Sequence, residues 1–221
     1  MASSASIAFN SRVKFEDVSV EGITHITPAD ILYAKRLGYV MKLLAIGRDT
    51  ELGIDVRVNP VLLPKEHPLA AVSGVMNAVF VRGYPIEEAM FFGPGAGKPT
   101  ASAVVSDIIE IARGLNRGST GRFGCTCYHQ FPICPVEETT SSYYIRLLVD
   151  DKPGVLGKIA TTFGNVDVSL KSVVQTRTEL EDHVEIVVIT HAVKHKNILE
   201  AQAALRALSV VDEIFNVIRV E

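Results

Sequence analysis

The sequence predicts an α+β protein: a mixed-sheet α/β region, followed by a ferredoxin-like sandwich of order βαββαβ. Strand and helix patterns succeed one another in both halves, and the second half follows the sandwich order. "NRGSTGRFG", "FPICP" and "EETTSS" separate the halves with residues that favour loops. We therefore expect one region at residues 1–118, a linker at 119–141 within the loop-rich stretch Asn116 to Ser142, and a second domain at 142–221.

Composition narrows the class of protein. Hydrophobic residues make up 48% of the 221 residues, so a sizeable core can be buried. The net charge of −3 and the lack of a Lys/Arg block argue against nucleic acid or an anionic membrane as the main partner. No apolar run approaches the ~20 residues of a membrane span, and "MASSAS" lacks the arginines and length of a transit peptide. The three clustered cysteines do not resemble a secreted disulfide scaffold, so we expect a reducing, cytoplasmic location.

The first part reads as helices and strands joined by short turns. "TPADILYAKRLG" predicts a helix with Thr27 as N-cap, Pro28 at the first helical position and Gly38 as the stop. "VMKLLAIGR" and "GIDVRVNPVLL" predict strands, the second alternating apolar with polar residues from Ile54 to Asn59. "HPLAAVSG" predicts a short helix, and "NAVFVRG" with "EAMFFG" a strand pair. A last helix carries an apolar face at Ala101, Val104, Val105, Ile108, Ile109 and Ala112.

The second part predicts the sandwich element by element. Strands are expected at "YYIRLLV", "VSLKSVVQT", "DHVEIVVIT" and "VVDEIFNVIRV", with a hairpin across "RTELE". A helix opened by Pro153 is expected in "PGVLGKIATTF". A second helix, in "KNILEAQAALRAL", is expected to turn inward Ile198, Leu199, Ala203, Leu205 and Leu208.

The stretch "FFGPGAGKPTASAVVSD", Phe91 to Asp107, looks at first like a phosphate cradle. A P-loop fails at two positions, because Phe92 stands where its first glycine belongs and Pro99 where its hydroxyl belongs. A dinucleotide fingerprint fails on glycine spacing and on the lack of a parallel βαβ unit. The simplest interpretation is a tight strand-to-helix turn with Pro99 at the first helical position. Such dense glycines would also let a flat ligand approach the helix start.

Long runs of the first part resemble homoserine dehydrogenase. They are "SIAFNSRVKFEDVSVEGITHITPADILYAKRLGYVMKLLAIG", "HPLAAVSGVMNAVFVRG" and "MFFGPGAGKPTASAVVSDIIEIAR", and the resemblance covers nearly the whole chain. It implies an oxidoreductase that interconverts L-aspartate 4-semialdehyde and L-homoserine with NAD(P). It also implies that the glycine turn lies against the nicotinamide end of the cofactor, with Gly97 as the main contact beside Gly93 and Gly95. Only Lys98 separates Gly97 from Pro99, where many relatives have one residue more.

The same resemblance implies that part of the active site lies outside these 221 residues. The family begins with a Rossmann domain carrying G-x-G-x-x-G, which this sequence does not contain. Aligning the family's helix puts its catalytic lysine about one residue before Met1, with an aspartate and a homoserine-binding glutamate further upstream. Lys14, Lys35, Lys42 and Glu21 do not match these positions. We therefore expect no catalytic residue here, no cofactor bound to this stretch alone and no activity from it. The alternative is a stand-alone amino-acid-binding or dimerising protein of the same ancestry.

The second part resembles an ACT domain in "VDDKPGVLGKIATTFGNVDVSLKSVVQT". Gly154 opens a helix whose N–H groups can meet a ligand carboxylate, and Asp151 can meet its ammonium group. The resemblance implies an amino-acid effector, threonine, that contacts Asp151, Gly154, Val155, Leu156 and Ser169. Asp167 departs from the glycine usual before the second strand. Dimerisation without sensing is the competing interpretation. A homodimer or larger assembly is expected in either case, because strands such as "VVDEIFNVIRV" lack obvious edge protection.

"CTCYHQFPIC" offers four potential zinc ligands in Cys125, Cys127, His129 and Cys134. The C-x-C-x-H spacing is not a common finger pattern, so we expect reduced thiols and no metal. His191 and His195 are expected to be solvated residues near the start of a surface helix.

Overall fold

A computed structural model describes residues 1–119, 124–177 and 182–221. Five α-helices, α1 to α5, span Ala2–Ala8, Pro28–Arg36, Lys98–Asn116, Val155–Gly164 and His195–Arg206 within these ranges. Strands β1 to β10 span Ser19–Val20, Tyr39–Thr50, Gly53–Pro64, Met76–Gly83, Glu87–Pro94, Thr140–Asp150, Leu170–Arg177, His183–Thr190, Val193–Lys194 and Val211–Val220. Residues 120–123 of the predicted linker and 178–181 of the predicted hairpin turn lie outside the described residues. No helix in the described ranges is long and apolar enough to cross a membrane.

Helix α2 begins and ends where its sequence predicts. The Thr27 side chain accepts a hydrogen bond from the Asp30 backbone N–H, and the Asp30 carboxylate accepts one from the Thr27 N–H at 3.0 Å. This reciprocal capping box satisfies two N–H groups that the first turn leaves free. Pro28 is the first helical residue, and Gly38, with φ of 85°, follows the C-cap residue Leu37.

Strands β2 and β3 form a long antiparallel pair, from Tyr39 opposite Pro64 to Thr50 opposite Gly53. The alternation in β3 does not separate a buried face from an exposed one, since Asp55, Arg57 and Asn59 are all buried. Arg57 pairs with Asp55 and with Glu221, which follows β10. The buried Arg57 of β3 therefore finds one of its partners at the other end of the chain, which a local pattern could not reveal.

The remaining first-part elements follow the prediction with small differences. "HPLAAVSG" forms only a single 3-10 turn, Pro68–Ala71. The predicted strand pair is present as a separate two-stranded antiparallel ribbon, β4–β5, running from Met76 opposite Pro94 to Gly83 opposite Glu87. Between α3 and β6 the described residues contain isolated bridges to Ser11 and Ile54 and a 3-10 turn at Val136–Glu138.

The second part forms the predicted βαββαβ sandwich. Its strands pair in the order β10-β6-β8-β7, all antiparallel, with the two-residue β9 added beside the start of β6. Strand β6 begins at Thr140 rather than Tyr143, and α4 begins at Val155 rather than Pro153, with Gly154 as N-cap. The prediction for α5 was wrong at Leu199 and Ala203, which are exposed; Ile198, Ala201 and Leu205 are buried, spaced by three and four residues.

One mixed sheet joins the two parts. Strand β10 lies between β6 and β3, with Arg219 opposite Val61 and Val220 opposite Leu62 in parallel register. The expectation that "VVDEIFNVIRV" is an edge strand was therefore wrong, and β7 ends the sheet instead. Helices α4 and α5 contribute to the core on one face of β6, which includes Ile145, Leu147, Ile159, Phe163, Ile198 and Leu205. Residues of α2, Tyr33 and Ala34, pack on the other face beside Tyr144 and Ile189.

A buried ion pair fixes α2 to the sheet. The Asp30 side chain is 0% exposed, and its Oδ1 accepts hydrogen bonds from Arg146 Nε at 2.7 Å and the Tyr144 hydroxyl at 3.1 Å. Its Oδ2 accepts from Asn216 Nδ2 at 2.5 Å. Arg146 also donates through Nη2 to Thr27 Oγ1 at 3.0 Å. The helix, β6 and β10 thus meet at one carboxylate whose lone pairs are filled.

Glu185 on β8 accepts from Arg146 Nη1 at 3.1 Å, and the guanidinium stacks 4.3 Å from the centre of the Phe215 ring. Burial raises the pKa of Asp30, but the hydrogen bonds from Arg146 and Thr27 outweigh it and hold that pKa below its usual value. The ionised form therefore contributes its full stability above the unfolded pKa of about 3.9, and loses it as pH falls through the lowered folded value.

Replacing Arg146 by Met should lower the free energy of unfolding by about 3–5 kcal/mol, because it leaves Asp30 buried without a cation. Urea unfolding measures this. The control is Arg82→Met, which breaks the exposed pair of Arg82 with Glu88 and should cost at most about 1 kcal/mol. Equal losses from the two variants would contradict the importance of the buried pair.

Candidate functional site

The glycine turn links the ribbon to α3. Gly97 is the N-cap residue of α3 and has φ of 75° and ψ of −143°, a conformation that side chains other than hydrogen rarely allow. Lys98 is the first helical residue and Pro99 the second, one position later than expected. The Gly95 N–H donates to the Val75 carbonyl at 2.9 Å, which holds the turn against the start of β4.

The three glycines of this turn play different parts. A methyl group added at Gly95 would lie 1.9 Å from the amide nitrogen of Asn77, an exposed side chain that covers this glycine and would have to move. A methyl group at Gly93 or Gly97 would meet nothing within 4 Å. Only these two leave backbone open to a flat ligand. The turn follows an antiparallel ribbon, in contrast to the parallel βαβ unit that a dinucleotide fingerprint needs.

Helix α3 and the ribbon leave apolar surface uncovered. The helix contains no buried residue, and its predicted apolar face is exposed along its whole length, with Ile108 at 59%. Phe91 and Phe92 on β5 and Val79 on β4 are also exposed. A monomer seldom leaves so many large apolar side chains exposed on successive elements, so these elements fit an interface with another protein surface.

The predicted effector turn is built at the start of α4. Gly154 has φ of 86°, and its carbonyl accepts from the Lys158 N–H, so the helix begins directly after it. Val155 is buried in the core while Leu156 is 42% exposed. The Asp151 N–H donates to the Asp182 carbonyl at 2.8 Å, and its residue is exposed. Four of the five predicted contacts therefore lie together.

Ser169 does not lie with them. Asp150, next to Asp151, pairs with His183 at the start of β8, whereas Leu170, next to Ser169, pairs with Thr190 at its end. Seven residues of strand separate these points, about 23 Å at ~3.3 Å per residue. One small ligand cannot touch Asp151 and Ser169 of the same chain.

Asp167 adopts φ of 57°, in the left-handed region that favours glycine. The backbone here therefore has a conformation typical of glycine although the residue is aspartate, which tolerates this conformation better than most residue types.

The potential metal ligands that the structure brings together are not those that the sequence offered. Cys125 is exposed and Cys134 buried, and the cysteines and His129 do not form a group of potential ligands in the described part of the chain. The group found there consists of Asp150, His183 and Asp212, whose ligand atoms lie within 4.8 Å of one another. His183 pairs with Asp212 at 3.1 Å, and Asp150 pairs with Lys152 at 2.8 Å. Side-chain pairing of this kind accounts for the cluster.

The two histidines that were expected to be solvated differ from each other. His191 is exposed, as expected. The expectation for His195 was wrong, because its Nδ1 lies 3.0 Å from the Tyr143 hydroxyl and its ring stacks on Tyr143. Burial, with a smaller effect of Arg219, lowers the pKa of His195 to about 4, so the ring is neutral at pH 7.

Two sets of polar residues were not singled out from the sequence. The first is the network of Asp30, Arg146 and Asn216, and the second is the set that lines a cavity around Arg219. The available signal was a charged residue inside an apolar strand, as in "YYIRLLV" and "FNVIRV". Buried charges are usually paired or functional, but the sequence does not reveal their partners.

Comparison with known proteins gives family matches for both parts. The family model described as homoserine dehydrogenase matches residues 1–109, and that of the ACT domain matches residues 143–210. Homoserine dehydrogenase of Synechocystis sp. is 44% identical over 98% of this chain and 52% of its own length. That of Neisseria gonorrhoeae is 40% identical over 98% of this chain and 51% of its own.

Comparison with solved structures gives the same family. A homoserine dehydrogenase from Thiobacillus denitrificans superposes with a TM-score of 0.90 at 36% identity, covering 100% of this chain and 51% of the other. The chain thus spans about half the length of the relatives it matches. The sandwich of the second part coincides with the ACT match, and the glycine turn lies within the first match. The chain therefore belongs to the homoserine dehydrogenase family, and it carries an ACT domain over residues 143–210.

Proposed function

We propose that the chain forms part of a homoserine dehydrogenase, which interconverts L-aspartate 4-semialdehyde and L-homoserine with NAD(P)H in threonine, methionine and isoleucine biosynthesis. The observation that carries this proposal is the extent of the similarity, which reaches across 98% of the chain to proteins of that name. The ACT match supports the further proposal that the second part has a regulatory role.

In this proposal the glycine turn forms one wall of the cofactor site. The nicotinamide cofactor supplies or accepts the hydride when bound. Gly93 and Gly97 fit that role, because no side chain stands where a flat ring would approach them. Their contribution is to position the ring and to exclude water from it, while the acid–base groups come from positions that the resemblance assigns outside residues 1–221.

A preparation of these 221 residues alone should show no homoserine-dependent reduction of NAD or NADP. The physical reason is that hydride transfer needs the cofactor and an acid–base group held together, and the proposal gives this stretch only one wall. Absorbance at the reduced nicotinamide band measures the rate, with full-length Synechocystis homoserine dehydrogenase as the positive control.

A chimera extends this test to the function itself. The N-terminal half of the Synechocystis enzyme, joined before Met1, should restore turnover, and Gly97→Val should then remove most of it by filling the open face of the turn. Gly118→Val, at a glycine with a similar positive φ of 72° and open space around it, is the matched control. A folded chimera that binds NADP but does not oxidise homoserine would count against the proposed function. Turnover by the 221 residues alone would count against the proposal that they form only one wall of the active site.

We further propose that the chain forms a homodimer through α3 and the ribbon. The support is their uncovered apolar surface, which includes Val104, Ile108 and Phe91. Light scattering should give about twice the chain mass of 24.0 kDa. Ile108→Glu should favour the monomer by placing a charge in the interface, whereas Glu110→Gln on the same helix should not. A monomer mass for the unchanged protein at high concentration would contradict this arrangement.

Threonine is the proposed effector of the ACT domain. Its carboxylate would take backbone N–H groups at the start of α4, after Gly154, and its ammonium would face Asp151. Ser169 would then come from the ACT domain of a second copy, since it lies about 23 Å along the sheet from Asp151 within one chain.

Threonine should raise the melting temperature, because a ligand that binds only the folded state stabilises it by about 2.7 kcal/mol at a hundredfold excess over Kd. Alanine should do so less, since it lacks the hydroxyl. Asp151→Ala should remove most of the effect, while Lys98→Ala in the distant glycine turn should preserve it. A melting temperature indifferent to millimolar threonine in the unchanged protein would leave dimerisation as the role of this domain.

A further inference from the structure

A cavity of about 450 Å³ lies where the two parts of the chain meet. One wall is the loop after β1, and the other is formed by α5 and β10. Its lining residues are Glu21, His25, Tyr143, His195, Gln202, Arg206, Ile214, Phe215, Asn216, Val217 and Arg219. A volume of this size is typical of small-molecule sites.

Arg219 provides a buried cation in this cavity. It is 6% exposed, and its Nη1 donates to Ser141 Oγ at 3.3 Å while its guanidinium lies 5.3 Å from the Tyr143 ring centre. Among the described residues no carboxylate lies within ion-pair distance of it; Asp55 and Glu221 act only at longer range. A buried guanidinium without a paired anion is costly unless something satisfies it, and the cavity is the side from which an anion can arrive.

The loop after β1, which forms the opposite wall, is held to β10 and adds one negative charge to the cavity. Asn216 Nδ2 donates to the His25 carbonyl at 3.1 Å, which ties the loop to β10. The Glu21 carboxylate lies 3.3 Å from His25 Nε2. Burial raises the pKa of Glu21, with His25 and Arg219 opposing the rise. Its charge therefore reaches Arg219 through space without pairing to it.

The rest of the lining suits a carboxylate that carries an apolar body. Arg206, in the last turn of α5, adds a second cation. Ile214, Phe215 and Val217 offer apolar surface, and the neutral His195 with the Tyr143 hydroxyl adds hydrogen-bonding groups without charge.

We propose that this cavity binds a small organic carboxylate with an apolar body, anchored by the Arg219 guanidinium. Arginine presents parallel N–H donors that match the two oxygens of a carboxylate. The site is separate from the effector turn, because Arg219 lies at one end of β10 and Val211, beside the turn, at the other. Since its walls come from both parts of the chain, an occupant would bridge the ACT domain and the first part.

NMR titration of the 221-residue chain with benzoate tests the proposal, with benzamide as the uncharged isostere. Benzoate should bind at least about tenfold more tightly than benzamide, because a hydrogen bond to a charged group is worth about 1.5–3 kcal/mol. Inorganic phosphate at equal ionic strength should bind more weakly than benzoate, because it lacks the apolar body. Equal affinities for benzoate and benzamide, or for benzoate and phosphate, would overturn the proposal.

Variants locate the binding. Arg219→Gln should weaken benzoate binding about tenfold by removing the paired charge. Glu21→Gln, at a half-exposed position that should not disturb folding, should strengthen it about twofold by removing a nearby negative charge. Arg82→Gln, on the ribbon, should change nothing. Unchanged benzoate binding in Arg219→Gln would overturn the proposal. Weaker benzoate binding in Glu21→Gln would also overturn it. If Arg219→Gln does not fold, the Glu21→Gln result decides by itself.

Discussion

The buried pair of Asp30 and Arg146 is the interaction on which the relation of the two parts depends. The carboxylate sits at the capping box of α2, and the guanidinium projects from the central strand of the ACT sandwich. A capping side chain stabilises its own helix by satisfying a free N–H group of the first turn. Here the same side chain also orients the helix on the sheet, so that local helix formation and assembly of the two parts are coupled.

The surrounding contacts make this arrangement specific. Tyr144, Asn216 and Thr27 complete the hydrogen bonds of the pair, and Tyr33 and Ala34 pack beside it. A partly satisfied network in this position would be worse than an apolar one. Completeness therefore matters more than the number of bonds, because Asp30, Arg146, Tyr144 and Asn216 are buried where water cannot replace a lost partner.

Much of the fold was predictable where the signal is local. Thr27, Pro28 and Gly38 mark the ends of α2, and the βαββαβ order identified the sandwich. The largest errors share one cause: they depend on contacts between residues far apart in sequence. Strand β10 reads as an edge strand until its pairing with β3 is known, and His195 reads as solvated until Tyr143 is beside it. At the candidate site, backbone geometry at Gly97 and Gly154 was foreseen, but the separation of Ser169 from Asp151 depends on strand register.

The insertion of β10 between β6 and β3 has a consequence for how such a chain can be taken apart. The strand belongs to the ACT sandwich by its pairing with β6, yet its last residues also extend the sheet of the first part, with Glu221 bound to Arg57. Cutting in the linker would therefore strip a strand and a counter-ion from the first part and leave the β3 edge open to other chains. The ACT domain therefore cannot be separated at the linker alone: transplanting it onto another protein, or deleting it from this chain, requires that the exposed edge of β3 be rebuilt first.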